Sequence, residues 1–247
     1  MKKLIFALPL FALAACEGSI ANEVREMARD GGSMSDGEAV TTSEQDPGEF
    51  TKVSSVGPDN IVFTKGDDFS IRAEGDDETI ERLRFKLSDG NLKIGRLKDR
   101  GWSGRNNAAT IYVSAPSLEA IALAGSGDFK ADKMSGDNAK ISIAGAGDVA
   151  VDKLKTDSLK GAIAGSGNLK LAGKAKAVKI SIAGSGDISG KKLKVETAKI
   201  AIAGSGNVTL SSDGTVDAKV MGSGDIRVHG DAKCTTKAMG SGTVKCG

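Results

Sequence analysis

The chain has 247 residues, with 34 basic and 32 acidic side chains, one histidine and only 4% aromatic residues. The near-balance of charge and the scarcity of rings that could stack on bases exclude an ordinary nucleic-acid-binding protein, whose affinity comes from neutralised phosphates. We also expect no cofactor, because no glycine-rich segment is followed by the Lys-Ser/Thr of a phosphate loop or by a long helix.

Residues 1–15 are predicted to be a secretory signal peptide. Two lysines begin the segment, a short apolar run follows, and Leu-Ala-Ala stands directly before Cys16. This ending resembles the lipobox of bacterial lipoproteins, which implies that Cys16 carries acyl chains and that the protein binds a membrane through them. The alternative is a free or disulfide-bonded Cys16. We expect a lipid-anchored exported protein in the outer membrane, on its periplasmic face or at the cell surface, with the inner membrane as the alternative destination.

Residues 16–48 are predicted to be the lipidated cysteine and a flexible tether. The segment is rich in Gly, Ser, Asp and Glu, and its few apolar residues follow no sustained period. Such a composition cannot bury enough apolar surface to offset the entropy lost on ordering.

Residues 49–118 are predicted to form an N-terminal β region. Short apolar segments with alternating polarity, separated by turn signals such as Gly57-Pro58-Asp59-Asn60, predict strands at 50–56, 61–64, 69–73, 83–87, 92–97 and 110–113. Residues 99–108 are predicted to form an exposed loop around Trp102. The Trp102 ring would either stack on a sugar or pack within the loop.

Residues 119–247 contain a repeat that decides the fold class. Gly-Ser-Gly or a close variant begins at Gly125, Gly145, Gly165, Gly184, Gly204, Gly222 and Gly240, at intervals of 18 to 20 residues. The residue two before each of these glycines is apolar, and so is the residue four after it. Alternating segments in a repeat of this length predict an all-β parallel solenoid of 18–20-residue coils, continuous with the N-terminal β region. The glycines would occupy a sharp corner repeated in every coil.

The last two cysteines, Cys234 and Cys246, form an even pair in an oxidising compartment, and a disulfide between them is the favoured interpretation. Such a bond would close the last coil.

Several positions together resemble a known family. They are Phe50-x-x-Val53, Leu92-x-Ile94, Val113-x-x-Pro116-x-Leu118 and the ladder of Gly-Ser-Gly-Asp or Gly-Ser-Gly-Asn corners. They are similar to the bacterial family called putative auto-transporter adhesin, head GIN domain, over about 49–246. The resemblance implies a mostly right-handed β-helix in secreted or lipid-anchored envelope proteins, and the name suggests adhesion. The family brings no set of catalytic residues to carry over.

The residue after each corner forms a further column: Asp128, Asp148, Asn168, Asp187, Asn207, Asp225 and Thr243. A turn-capping ladder is the simpler interpretation. The sharper hypothesis is that Asp128 and Asp148, the two adjacent carboxylates, share a Ca²⁺ ion, since oxygen ligands at coil corners hold calcium in some β-rolls.

These features favour a non-catalytic, membrane-anchored envelope module that binds a surface glycan or a protein. A periplasmic scaffold or envelope-stress component is the alternative. A polysaccharide-active β-helix enzyme is a further alternative, disfavoured by the single Trp and Tyr and by the short loops between coils.

Overall fold

A computed structural model describes residues 34–97 and 107–247 of the chain. Within this part, seventeen strands and one short helix, α1 (Asp77–Ile80), follow one another. The strands before the repeat are β1 (Glu38–Ala39), β2 (Lys52–Gly57), β3 (Asn60–Lys65), β4 (Ser70–Glu74), β5 (Leu83–Ser88), β6 (Asn91–Arg96) and β7 (Thr110–Ala115). The strands of the repeat are β8 (Ala120–Gly125), β9 (Phe129–Ala131), β10 (Met134–Gly145), β11 (Val149–Gly165), β12 (Leu169–Gly184), β13 (Ile188–Gly204), β14 (Val208–Gly222), β15 (Ile226–His229), β16 (Lys233–Gly240) and β17 (Val244–Cys246).

The repeat folds into a parallel solenoid, as the sequence predicts. Each coil pairs with the next in register, so that Ile143 lies beside Ile163, and Gly145 beside Gly165. The same register continues through β12, β13, β14 and β16. The strands β11 to β14 are long because each one continues around the bends of its coil and is interrupted only at the glycine corner.

Apolar columns on both sides of the corners form the core. The column after the corners runs through Ile61, Phe129, Val149, Leu169, Ile188, Val208 and Ile226, all of them buried. The column before the corners, from Leu123 to Val220, is buried in the same way. Because alternate residues of a strand point to opposite faces, the period-two pattern fills the interior with aliphatic side chains and leaves charged ones outside.

Both glycines of a corner are required by the close approach of neighbouring coils. Gly165 has φ +130°, and a Cβ there would lie 2.3 Å from the carbonyl oxygen of Gly145. A Cβ on Gly167 would lie 2.2 Å from the carbonyl oxygen of Gly147. The Gly145 oxygen accepts hydrogen bonds from the amides of Ser166 and Gly167, at 2.9 and 3.1 Å. The corners therefore stack directly, and any side chain would separate the coils.

The solenoid begins earlier than the Gly-Ser-Gly repeat. Gly57 pairs in register with Gly125, and Asn60 Oδ1 accepts the amide of Asp128 at 2.9 Å. The segment predicted only as a turn, Gly57-Pro58-Asp59-Asn60, is thus an eighth corner. It contains proline and aspartate in place of serine and glycine because no corner precedes it, so it needs no amide donor and has room for side chains.

The N-terminal end of the solenoid is closed by antiparallel strands, which we call the cap. β6 pairs with β2, β5 pairs antiparallel with β6, and β4 pairs antiparallel with β7. Beside the first corner, Arg96 Nε donates to Asp59 Oδ2 at 2.7 Å, and the amide of Ala109 donates to Asp59 Oδ1 at 2.8 Å. The Asp59 side chain is only 3% exposed, so Arg96 neutralises a carboxylate inside the cap.

The predicted tether is wrong for the residues from Met34 onward. β1 pairs antiparallel with β5, and Val40 is 2% exposed. The backbones of Gln45 and Ile71 exchange two hydrogen bonds, of 3.0 and 2.9 Å. The segment from Met34 to residue 48 belongs to the folded cap because its few apolar side chains find partners far away in sequence. The signal peptide and the rest of the tether lie outside the described residues.

The C-terminal end has no comparable covering in the described part of the chain. In the last coil the inward positions Thr236, Ala238 and Cys246 are exposed. Cys234 and Cys246 are joined by a disulfide that closes this coil.

Candidate binding surface

The predicted site residues that the structure describes lie in two different parts of the solenoid. Cys16 and Trp102 are outside the residues that the structure describes. Asp128 and Asp148 stand at consecutive corners, and Cys234 is bonded to Cys246 in the last coil. The structure therefore does not gather the four described residues into one site.

Asp128 and Asp148 belong to a ladder of hydrogen bonds along the corners. Asp128 Oδ1 accepts the amide of Asp148 at 3.1 Å, and Asp148 Oδ1 accepts the amide of Asn168 at 2.8 Å. The same bond recurs at every later corner. Each asparagine also donates its Nδ2 to the preceding aspartate, as Asn168 does to Asp148 at 2.9 Å. The column thus ties each coil to the next.

The ladder engages one oxygen of each carboxylate of the Asp128 and Asp148 pair. In residues 34–97 and 107–247, no group of three or more His, Cys, Asp or Glu side chains is placed to hold a metal ion. Calcium sharing by this pair stays a prediction.

The last carboxylate of the ladder has a perturbed ionisation. Thr243 Oγ1 donates to Asp225 Oδ1 at 2.7 Å, and the Thr243 amide donates to the same oxygen at 2.8 Å. These bonds stabilise the charged form and lower the pKa of Asp225, the hydroxyl having the larger effect; Lys245 and Arg227 lower it further.

A row of lysines follows the strands that lead into the corners. We call the surface of these strands the pre-corner face. Its lysine row consists of four residues paired in register, each five positions before a corner glycine: Lys140, Lys160, Lys179 and Lys199. This row is not among the features predicted from the sequence, although its fixed distance from the glycines is visible there.

Two rows of small residues flank the lysine row on the same face. One row contains Asn138, Ser158, Ala177, Thr197 and Thr215, and the other contains Ser142, Ala162, Ser181 and Ala201. A groove of about 480 Å³ follows the first of these rows and the lysines, and Asp217, Lys233 and Thr235 lie at its C-terminal end. The pre-corner face is thus a basic groove with hydroxyl groups along one side.

A second groove, of about 800 Å³, lies on the neighbouring face and has mixed charge. Three lysines lie on one side of this groove, Lys155, Lys174 and Lys194. They run parallel to a row of mixed charge that consists of Asp137, Asp157, Lys176 and Glu196. In that row Lys176 Nζ lies 2.8 Å from Asp157 Oδ1, and this hydrogen bond raises the pKa of Lys176. Acidic side chains therefore partly neutralise the second groove.

The cap carries one further polar cluster that the sequence analysis missed. The Arg72 guanidinium lies 4.1 Å from the centre of the Tyr112 ring, and Tyr112 Oη donates to Glu74 Oε2 at 3.0 Å. The bond from Arg72 lowers the pKa of Glu74, and Glu74 in turn raises the pKa of Tyr112. Arg72 and Tyr112 lie opposite each other on the antiparallel strands β4 and β7, so the cluster links these two strands through their side chains.

The comparisons with known proteins agree with this geometry. A family model described as putative auto-transporter adhesin, head GIN domain, matches residues 49–232. The chain belongs to this family. A comparison of this head GIN domain protein with curated proteins gives no match.

Solved structures share the fold of this head GIN domain. A putative adhesin from Bacteroides fragilis NCTC 9343 has a TM-score of 0.76 and 23% identity, with 83% of this chain and 95% of that chain covered. A putative lipid binding protein from Parabacteroides distasonis ATCC 8503 has a TM-score of 0.64 and 23% identity, covering 85% and 98%. A putative adhesin from Parabacteroides merdae ATCC 43184 has a TM-score of 0.64 and 22% identity, also covering 85% and 98%. At these identities the likeness concerns the fold.

Proposed function

We propose that this head GIN domain protein is an exported, lipid-anchored and non-catalytic module of the bacterial envelope, with an adhesin-like binding role. Its family membership carries the proposal. The putative adhesins among the structural neighbours have the same fold. Lipid anchoring is supported by Cys16, which stands directly after Leu-Ala-Ala at the end of an apolar segment.

The outer surface of the solenoid supports a binding role. Catalysis requires unlike groups, such as a nucleophile and a base, to converge on one reacting atom. The repeat instead spreads like groups into long rows, as it does with the four residues of the lysine row. The one histidine, His229, lies in register with Ser211 near the end of the stack and is half-buried. A row of like groups suits repeated weak contacts with an extended ligand.

Among the residues that the structure describes, no helix is both long and apolar enough to cross a membrane. The proposed anchor is therefore tested directly. Cells grown with a labelled fatty acid should incorporate the label into the wild-type protein, and Cys16→Ser should abolish this labelling. A Cys234→Ser variant is the matched control, because it also removes one cysteine but leaves Cys16 in place. Label retained by Cys16→Ser would contradict lipidation at this residue.

Protease treatment of intact cells tests where the module faces. We expect a surface adhesin to be digested before the cells are lysed. Protection until the outer membrane is opened would favour the periplasmic scaffold instead. Deletion of the protein should reduce adhesion or cell aggregation, and unchanged adhesion, aggregation and envelope integrity would refute the adhesin-like role. Product release from a panel of envelope and host glycans by the purified protein would overturn the non-catalytic part.

A further inference from the structure

We propose that two copies of this protein associate side by side and antiparallel, with the acidic end of each copy against the basic coils of the other. The acidic end consists of residues 34–97, and the basic coils are the three central coils formed by β11, β12 and β13, residues 149–204. The inference deepens the proposed adhesin-like role and rests on it, because it assigns a second copy of the chain as the binding partner.

The acidic end carries its negative charge at the surface. Residues 34–97 contain 14 acidic and 8 basic side chains, and all of the acidic ones except Asp59 are exposed. Five of the basic side chains are half-buried, among them Arg96, which is bonded to Asp59. The exposed basic side chains of this region are Lys52, Lys65 and Lys86. A partner that approaches this end therefore meets thirteen carboxylates and three ammonium groups.

The basic coils have the opposite balance of charge. Residues 149–204 contain eleven lysines and four acidic residues, and all fifteen of these side chains are exposed. This count includes the ion pair between Lys176 and Asp157. The excess of seven positive charges therefore remains whichever of the lysines have partners within the chain. An excess of this size on three coils produces a positive potential around the middle of the solenoid.

The two regions lie too far apart to neutralise each other within one molecule. Five strand spacings separate β6 of the acidic end from β12, through β2, β8, β10 and β11. At about 4.8 Å for each spacing, the separation is roughly 24 Å. The Debye length at physiological ionic strength is only about 8 Å. Both regions therefore keep their charge for a partner.

A second copy matches both regions at once. In an antiparallel pair related by a twofold axis, the same separation places each acidic end beside the basic coils of the other copy. Once one contact forms, the second forms at a high effective concentration, so that two weak contacts act together. Parallel pairing would instead place one acidic end beside the other, and like charges would repel. The described residues contain 27 acidic and 27 basic side chains, so no net charge keeps two copies apart.

The antiparallel arrangement bears on the proposed role in adhesion. Cys16 precedes the acidic end in the sequence, so the two proposed anchors belong to opposite ends of the pair. Such a pair suits molecules on two facing membranes and would join cells that display this protein. A different partner, such as an acidic protein held by the basic coils alone, would leave the purified chain monomeric.

The test uses the exported chain carrying Cys16→Ser, so that no acyl chain contributes to association. Sedimentation equilibrium measures the dissociation constant of the dimer at about 20 mM and about 500 mM NaCl, with protein concentrations up to about 1 mM. We expect a dimer at the lower salt concentration. Association should be at least about tenfold weaker at the higher one, because salt screens the charges that attract the two copies.

Two triple variants reverse three charges each. One changes the acidic end: Asp67→Lys, Asp68→Lys, Glu78→Lys. The other changes the basic coils: Lys160→Glu, Lys174→Glu, Lys192→Glu. All six side chains are exposed. Each variant should associate at least about tenfold more weakly than the parent chain, because every substitution acts in both contacts of the twofold pair.

A matched control makes the same change of charge in the last coil: Lys233→Glu, Lys237→Glu, Lys245→Glu. When β6 of one copy faces β12 of the other, β1 faces β14, and the last coil lies beyond the acidic end. This last-coil variant should therefore change the dissociation constant by less than about threefold. Circular dichroism and thermal unfolding show whether all three variants keep the fold.

Cross-linking tests the arrangement without any substitution in the contacts. An equal mixture of isotope-labelled and unlabelled chains is treated at low salt with a carbodiimide, which joins a carboxylate to a neighbouring amine. Mass spectrometry should find links between the two chains that join carboxylates of the acidic end to lysines of the basic coils.

Three outcomes would overturn the inference. They are a monomer at low salt over the whole concentration range, equal weakening by the basic-coil and last-coil variants, and links that join carboxylates of one acidic end to lysines of the other acidic end. If a triple variant does not fold, the salt dependence and the cross-links still decide. None of these measurements depends on the anchor or on where the module faces, so failure here leaves the labelling and protease experiments intact, and failure of those leaves this test intact.

Discussion

Replacing a corner glycine by alanine tests whether direct stacking of the corners stabilises the solenoid. Gly57 and Gly125 are a matched pair, with φ +131° and +137°. A Cβ on Gly57 would find only Asp59 Oδ2, 4.0 Å away, whereas a Cβ on Gly125 would lie 2.3 Å from the Gly57 carbonyl oxygen. The backbone strain of alanine is the same at both positions, roughly 1–3 kcal/mol. Only Gly125→Ala adds a collision between coils.

The size of the difference follows from the bonds that the collision breaks. Moving the two coils apart lengthens the hydrogen bonds from the amides of Ser126 and Gly127 to the Gly57 oxygen, each 3.2 Å. Each bond contributes about 1 kcal/mol net. We therefore expect Gly125→Ala to lower the free energy of unfolding by at least about 2 kcal/mol more than Gly57→Ala does.

Urea unfolding followed by circular dichroism measures both losses, provided that the m value stays unchanged. A third variant, Gly127→Ala, separates strain from collision, because Gly127 does not have a positive φ but its Cβ would lie 2.0 Å from the Asp59 carbonyl oxygen. It should also be strongly destabilising. Equal losses at Gly57 and Gly125 would show that backbone strain alone explains the glycines and would refute the stacking account.

Three further predictions concern the two ends of the stack. Arg96→Met leaves the buried Asp59 carboxylate without its cation and should lower the free energy of unfolding by about 3–5 kcal/mol, with partial recovery when Asp59→Asn is added; no loss in urea unfolding would contradict this. Thr243→Val removes the largest cause of the lowered pKa of Asp225, so an NMR titration should show that pKa rising toward the usual value of an aspartate. The pKa of Asp225 is lower in the folded protein than in the unfolded chain, so the ionised carboxylate stabilises the fold above the unfolded pKa of about 3.9. This contribution is lost as pH falls through the folded pKa. An unchanged Asp225 titration in Thr243→Val would contradict the assigned cause. Cys234→Ser opens the last coil and should reduce hydrogen-exchange protection in β16 and β17 by about 2–3 kcal/mol while the central coils keep theirs; uniform loss would show that the last coil is not a separate unit.

The fold of the repeat could be predicted from the sequence because its physical cause is local and recurs. Two apolar columns at fixed distances from each corner glycine define which side of each strand faces inward. The structure confirms this for Val149, Leu169 and Ile188, which lie in one buried column.

The first corner and the cap could not be predicted in the same way. Pro58 and Asp59 break the Gly-Ser-Gly pattern because no other corner stacks against this one from the N-terminal side in the described part of the chain. The sequence there therefore carries only an ordinary turn signal. Val40 packs in the cap through partners tens of residues away, and a composition rich in Gly and Ser hides such a long-range contact.

The binding surface was only partly predictable. The corner ladder follows from the Asp and Asn column. The lysine row could have been predicted as well, because the period-two alternation places the residue five before each glycine on the outside. The length of that row depends on where Asp217 falls, which the sequence shows only after the coils are placed in register.

The identical seating of successive corners has an evolutionary consequence. Each corner oxygen receives amides only from the coil that follows it, so a coil meets no more than its two neighbours in the stack. A tandem duplication of about twenty codons would therefore insert a coil whose corner amides bond to the glycine oxygen of the preceding coil. Its own corner oxygen would accept the amides of the coil that follows. Genes for such proteins can lengthen or shorten the rod one step at a time, and every step carries its own copy of the outer side chains.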